Sequence, residues 1–246
     1  MKKKILCFFT VLLAAVIMVS AASADYSFSV PDSETIIALE TDGSMTVYLE
    51  YTFENHGQAL DYIDIGLPNN NYTLGTIRVK LNGEENSSIK VTKTDYSQSG
   101  LRYGITLEMK SAAIQTGETA TVEVAVPGLR KNIYDATSET YDDEEVEFVG
   151  FQFAPNFFGK KFVKGTTNYS FMIVFPEGVS SNMVYYYSPE DWPGNNEPEA
   201  WIADDGRVVY NWVCSSANAY TEYTFGGKYP KSILTSRSEE RRVGKE

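Results

Sequence analysis

Histidine is almost absent from this 246-residue chain, with a single occurrence, and cysteine occurs twice. One histidine excludes an HExxH zinc helix and a three-histidine metal site, and a Ser-His-Asp triad would have to be built on His56. His56 lies in Asn55-His56-Gly57, a turn sequence, so a surface turn position is the simpler reading. Neither a Gly-x-Ser-x-Gly elbow nor a phosphate-cradling glycine loop occurs. Cys7 falls inside an apolar N-terminal run, which leaves Cys214 alone in the rest of the chain and excludes an internal disulfide. Cys214 alternates with Val208, Tyr210 and Trp212, and that face predicts a buried small hydrophobe. No catalytic residue, metal site or cofactor is therefore expected. A glycosidase carboxylate pair has no fixed sequence spacing, and its chemistry stays open.

What is present begins with an export signal. Lys2, Lys3 and Lys4 precede an apolar run of fifteen residues from Ile5 to Val19, which leads into Ser20, Ala21, Ala22, Ser23 and Ala24. A positive end, a short hydrophobic stretch and an A-x-A site form a secretory signal peptide over residues 1–24, with cleavage after Ala24. The run is shorter than the roughly 20 residues that span a bilayer. Cys7 lies within it instead of directly after it, so no lipid-accepting cysteine would remain at the new N-terminus. The expected location is extracytoplasmic, secreted or associated with the cell envelope.

At the other end, Arg237 to Glu246 read RSEERRVGKE, codon for codon the frame translation of a common sequencing-library adapter. Residues 237–246 are set aside from fold reasoning as a non-native tail. The natural chain is expected to continue past Ser236 into a membrane anchor or a further exported domain. Without the three signal lysines and the tail's four basic and three acidic residues, 14 Lys and Arg face 30 Asp and Glu, a formal net charge of −16. That sign is wrong for a phosphate backbone, and nucleic acid is excluded as a partner class.

Hydrophobic periodicity along the mature chain is overwhelmingly two. Met45, Val47, Leu49, Tyr51 and Phe53 alternate with Thr46, Tyr48, Glu50 and Thr52, the pattern of a half-buried strand, and Asp42-Gly43 supplies a hairpin turn back to Glu34 to Glu40. Further strands are predicted at 60–67, 76–81, 88–92, 103–109 and 119–126, and again at 146–153, 169–175, 183–187, 200–203, 208–214 and 222–225. Pro127-Gly128 closes the first group, and residues 129–145, which include the run Asp142, Asp143, Glu144 and Glu145, show no clear period. The expectation is an all-β protein of antiparallel β-sandwich type. It comprises two immunoglobulin-like or related modules, 25–128 and 146–236, joined by an acidic linker or crossover. The acidic run lacks the ligand spacing of a calcium loop and reads as solvated linker.

Asp42-Gly43-Ser44, then TVYLEYTFEN (46–55), then a strand closing on Leu67-Pro68 form an order that resembles a known arrangement. So do VGFQFAPNFFG (149–159) and IVFPEGV (173–179). Together with the signal peptide they resemble the exported amino-terminal β domain of bacterial membrane proteins of unknown function. That resemblance implies transmembrane helices after the domain, an attachment to the membrane through a C-terminal region, and no catalytic residues.

The functional hint in the residues themselves is aromatic. Tyr185, Tyr186 and Tyr187 run toward Trp192, with Trp201 beyond and Pro189, Pro193, Gly194, Asn195 and Asn196 between. Tyr186, Trp192 and Trp201 are the candidate ligand-binding residues, as rings on a loop beside amides that stack on sugar faces or grip a protein. Ordinary core packing is the competing reading. The expected function is a noncatalytic extracytoplasmic module for binding or surface architecture, with an envelope protein or a glycan as partner. The alternative is a carbohydrate-binding module or a glycoside hydrolase with an unmarked carboxylate pair.

Overall fold

The computed structural model describes residues 25–95, 102–141 and 143–235; the expected signal peptide and Ala24 cleavage site, residues 96–101, Asp142, Ser236 and residues 237–246 lie outside the described residues. Sixteen strands are formed among the described residues. They are β1 (Phe28–Leu39), β2 (Met45–Asn55), β3 (Tyr62–Gly66), β4 (Arg78–Leu81), β5 (Glu84–Glu85), β6 (Lys90–Lys93), β7 (Gly104–Glu108) and β8 (Thr119–Leu129). Then follow β9 (Ile133–Tyr141), β10 (Glu144–Phe153), β11 (Val163–Lys164), β12 (Thr167–Val174), β13 (Tyr185–Tyr187), β14 (Glu199–Ile202), β15 (Val208–Ala217) and β16 (Phe225–Pro230). The only helical segments among those residues are short 3-10 turns.

The alternation read in residues 45–53 is realised in β2, where Met45, Val47, Leu49, Tyr51 and Phe53 are buried and Tyr48 and Glu50 exposed. Asp42 and Gly43 turn the chain back on β1, with Gly43 at φ +75 and Ser44 donating from both its amide and its hydroxyl to the Asp42 carboxylate. Asn82 and Gly83, both at positive φ, make the tighter, two-residue β4–β5 hairpin.

Three sheets result. A nine-stranded sheet runs β14-β15-β12-β1-β2-β8-β4-β5, with β11 added alongside β1; β13-β16-β10-β9 form a four-stranded sheet and β3-β7-β6 a three-stranded one. The pairing is antiparallel apart from β1 with β11 and β12, which are parallel. The two smaller sheets cover the inner face of the large one. Phe171 of β12 stacks on Phe225 of β16 with centroids 4.2 Å apart and planes at 11°, and Phe175 meets Phe151 and Tyr229 edge-on. Ile63, Ile65, Ile105 and Leu107 of the three-stranded sheet join the same buried cluster as Leu49, Val124 and Trp212 of the large one.

The strand pairing does not follow the expected division into two modules. β1, from the first half of the chain, lies between β2 and β12, from either half, and one core runs through both. Residues 129–145 are likewise not a linker: Ile133–Tyr141 and Glu144–Phe153 form an antiparallel hairpin. Its outer strand lacks hydrophobic alternation because it lies at a sheet edge with little buried side chain, so the period that marks a half-buried strand is absent. The strand expected at 222–225 begins at Phe225 and continues to Pro230, where the glycines Gly226 and Gly227 mask the pattern. The stretch from Lys231 is docked on the sheets. Lys231 Nζ pairs with Asp135 at 2.8 Å and Glu147 at 3.5 Å, and the Thr235 amide donates to the Thr41 carbonyl.

Candidate functional site

The three aromatic residues singled out in the sequence go to three different places. Trp192 is 6% exposed and belongs to the core, with its ring against Tyr169, Tyr223 and Phe225 at centroid distances of 5.6, 5.2 and 5.2 Å. Its indole Nε1 donates to the Asn195 carbonyl at 3.1 Å, so the Pro-Gly loop folds over a buried ring instead of presenting an exposed one. Tyr186 is 40% exposed but turns toward the large sheet, edge-on to Tyr210 and Trp212. Trp201, also 40% exposed, sits on the edge strand β14 directly across from Val209. Cys214 is half-buried, near the β-bulge where β15 slips its register against β12, instead of continuing the buried face of Val208, Tyr210 and Trp212.

The outer face of the nine-stranded sheet is where exposed chemistry collects. The registers align residues of adjacent strands into rows. One row reads Ser170, Glu34, Glu50, Glu123 and Lys80 across β12, β1, β2, β8 and β4. The next, two residues along each strand, reads Met172, Ile36, Tyr48, Ala125 and Arg78. Beyond it lie Trp201, Val209, Val174 and Ala38. An acidic row thus borders an apolar band. Tyr48 is 48% exposed on that band.

The acidic row is electrostatically strained. Burial first, then the carboxylates of Glu123, Glu34 and Asp32, hold the Glu50 carboxyl above the ordinary carboxylate range, with Lys80 opposing them. Lys80 reaches Glu123 at 3.1 Å, at the far end of the row. Two shallow depressions meet on this face and share Glu34 and Glu50. One, of about 880 Å³, runs from Asp32 and Asn168 to Gly194 and Ser216; the other, of about 320 Å³, is lined by Ile36, Tyr48, Arg78 and Ala125. Neither is lined by Trp192 or Trp201.

Elsewhere, Lys228 is buried on the outer side of the four-stranded sheet. It pairs with Glu139 and lies over the rings of Tyr185 and Phe148 at 4.5 and 5.1 Å. Those contacts satisfy it and account for the burial. Among the described residues no group of three or more His, Cys, Asp or Glu is arranged to hold a metal ion. Asp143 turns the β9–β10 hairpin at φ +68, with Glu144 and Glu145 exposed in the strand that follows.

The outer-face residues were partly legible in advance. The Asp42-Gly43 turn announces the β1–β2 hairpin, while the three-residue loop 41–43 sets its register, Glu34 with Glu50 and Ile36 with Tyr48. No short-range signal announces that β8 and β12 flank that hairpin.

No family model and no curated protein matches the chain. Among solved structures it is similar to an M1 zinc metallopeptidase from Deinococcus radiodurans, at 9% identity and a TM-score of 0.48. It is also similar to a point mutant of that protein bound to a Tyr-ser-ala substrate, at 8% identity and a TM-score of 0.47. Each match covers 83% of this chain and 43% of the other, so the chain spans less than half the length of the structures it matches. At that level of likeness no residue role and no activity carries over.

Proposed function

We propose that the chain is an exported, noncatalytic binding module that meets its partner through the outer face of the nine-stranded sheet. The observation that carries this reading is the registered pair of rows on that face, carboxylates beside an apolar band. Like charges placed directly opposite on neighbouring strands are destabilising for the fold, and Tyr48 and Trp201, 48% and 40% exposed, leave part of the apolar band in water. The lysine-led apolar run and A-x-A site of residues 1–24 support delivery outside the cytoplasm. The resemblance of residues 42–55, 149–159 and 173–179 to the exported β domain of bacterial membrane proteins supports a place at the envelope.

Fusing residues 1–35 to an alkaline phosphatase that is active only after export is expected to give phosphatase activity, and the mature protein is expected to start at Asp25. A photo-crosslinker at Ile36 is expected to trap an envelope component that the same group at Tyr62, on the three-stranded sheet, does not. Equal trapping at both positions, or turnover of any substrate in a glycoside hydrolase panel, would overturn the reading.

A further inference from the structure

The outer face carries three carboxylates in register, with the cations Lys80 and Arg78 confined to its β4 end. Glu34 stands across from Glu50 and Glu50 across from Glu123, while Asp32 extends the acidity along β1 opposite Thr52 and Asn168. Adjacent strands lie about 4.8 Å apart, so the three glutamates span about 10 Å across the sheet. Lys80 forms its ion pair with the last of them, Glu123. The apolar row of Met172, Ile36 and Tyr48 runs parallel to this line, two residues, or about 7 Å, along the strands.

We propose that this face docks a basic amphipathic segment of another protein, with lysines or arginines over Glu34 and Glu50 and apolar side chains over Ile36, Met172 and Tyr48. The inference rests on the reading of the chain as a binding module and names the chemistry of its partner. Complementarity of charge selects the occupant. Residues 25–236 carry a formal net charge of −16, which repels nucleic acid and anionic lipid headgroups and draws a cation-bearing chain. The apolar row selects further, since a hydrated polycation without apolar side chains would leave Ile36 and Met172 uncovered. A helix laid across the strands matches the spacing. Its residues three and four apart are about 5–6 Å from one another, near the strand separation, so a basic residue on each turn comes over successive glutamates.

The test uses the exported protein after signal removal and short amidated peptides. One peptide is leucine and lysine ordered as an amphipathic helix, one has glutamate in place of lysine, and one has serine in place of leucine. The leucine–lysine peptide is expected to bind, to weaken as salt is raised, and to lose about tenfold or more in affinity in the E34Q/E50Q double variant, two charge-assisted contacts being removed. Ile36→Asp is expected to weaken it also, and the serine–lysine peptide to bind less well. Melting curves check that both variants remain folded.

Binding unchanged in E34Q/E50Q, or equal binding of the leucine–glutamate peptide, would overturn the proposal. Silence of the leucine–lysine peptide together with specific crosslinking at Ile36 would refute the partner chemistry and leave the binding face standing. Silence of both would remove both readings.

Discussion

Trp192→Ala is expected to destabilise the protein by about 3–5 kcal/mol, the usual cost of truncating a large aromatic side chain in a core. The ring is 6% exposed, has three aromatic neighbours within 5.6 Å, and satisfies its N–H on the Asn195 carbonyl. The loop above has little room to collapse into the space. A Cβ built on Gly194 already lies 2.7 Å from the indole nitrogen and 2.8 Å from the Val213 carbonyl oxygen, so the loop packs hard against both ring and strand. A domain of this size has a total stability of about 5–15 kcal/mol, so the substitution removes a large share. In urea, with a slope of about 3 kcal/mol/M, the midpoint should fall by about 1–2 M. Trp192→Phe keeps a ring in the cluster and loses the hydrogen bond, and should cost only about 1–2 kcal/mol. Unfolding followed by circular dichroism measures both. A midpoint shift below about 0.3 M for Trp192→Ala, at unchanged slope, would show that the ring does not support the core.

Glu50→Gln is expected to stabilise the protein at neutral pH by a few tenths to about 1 kcal/mol, solvent screening keeping the figure small. Because the folded state holds the Glu50 proton more tightly than the unfolded chain, the penalty is absent below the ordinary carboxylate range. It develops as pH rises through the raised pKa, so the advantage of the variant should vanish in acid; an advantage that persists there would refute the electrostatic cause. Arg207→Lys should cost about 1–3 kcal/mol in urea unfolding, because the guanidinium donates to the carbonyls of Phe175 and Leu39 at the ends of two neighbouring strands and a lysine cannot span both. Gly226→Ala should cost about 1–3 kcal/mol or more, since its Cβ would stand 2.3 Å from the Phe151 carbonyl oxygen, whereas Gly75→Ala meets nothing within 4 Å and should be neutral within about 0.5 kcal/mol by thermal melting.

The sequence by itself determined what depends on neighbours along the chain. Alternation marked β2 and β8 because each has one wet and one dry face, and the Asp42-Gly43 and Asn82-Gly83 turns were readable because few other residues adopt the positive φ of Gly43, Asn82 and Gly83. The register that sets Glu34 against Glu50 did not follow from the first of those turns alone, because the loop takes three residues, 41–43, where Asp42-Gly43 suggested two. The rest was decided between segments distant in sequence. The parallel pairing of β1 with β12 joins residues well over a hundred apart, makes one core where a break in periodicity suggested two, and brings Met172 and Ser170 beside Ile36 and Glu34. β9 pairs at a sheet edge, where no face is buried deeply enough to impose a period. Trp192, Tyr186 and Trp201 show the limit most directly. Composition placed all three in a polar, proline-rich stretch, but whether a ring is core or surface depends on what the opposite sheet offers it. Tyr169, Tyr223 and Phe225 bury Trp192, while the edge position of β14 leaves Trp201 half in water.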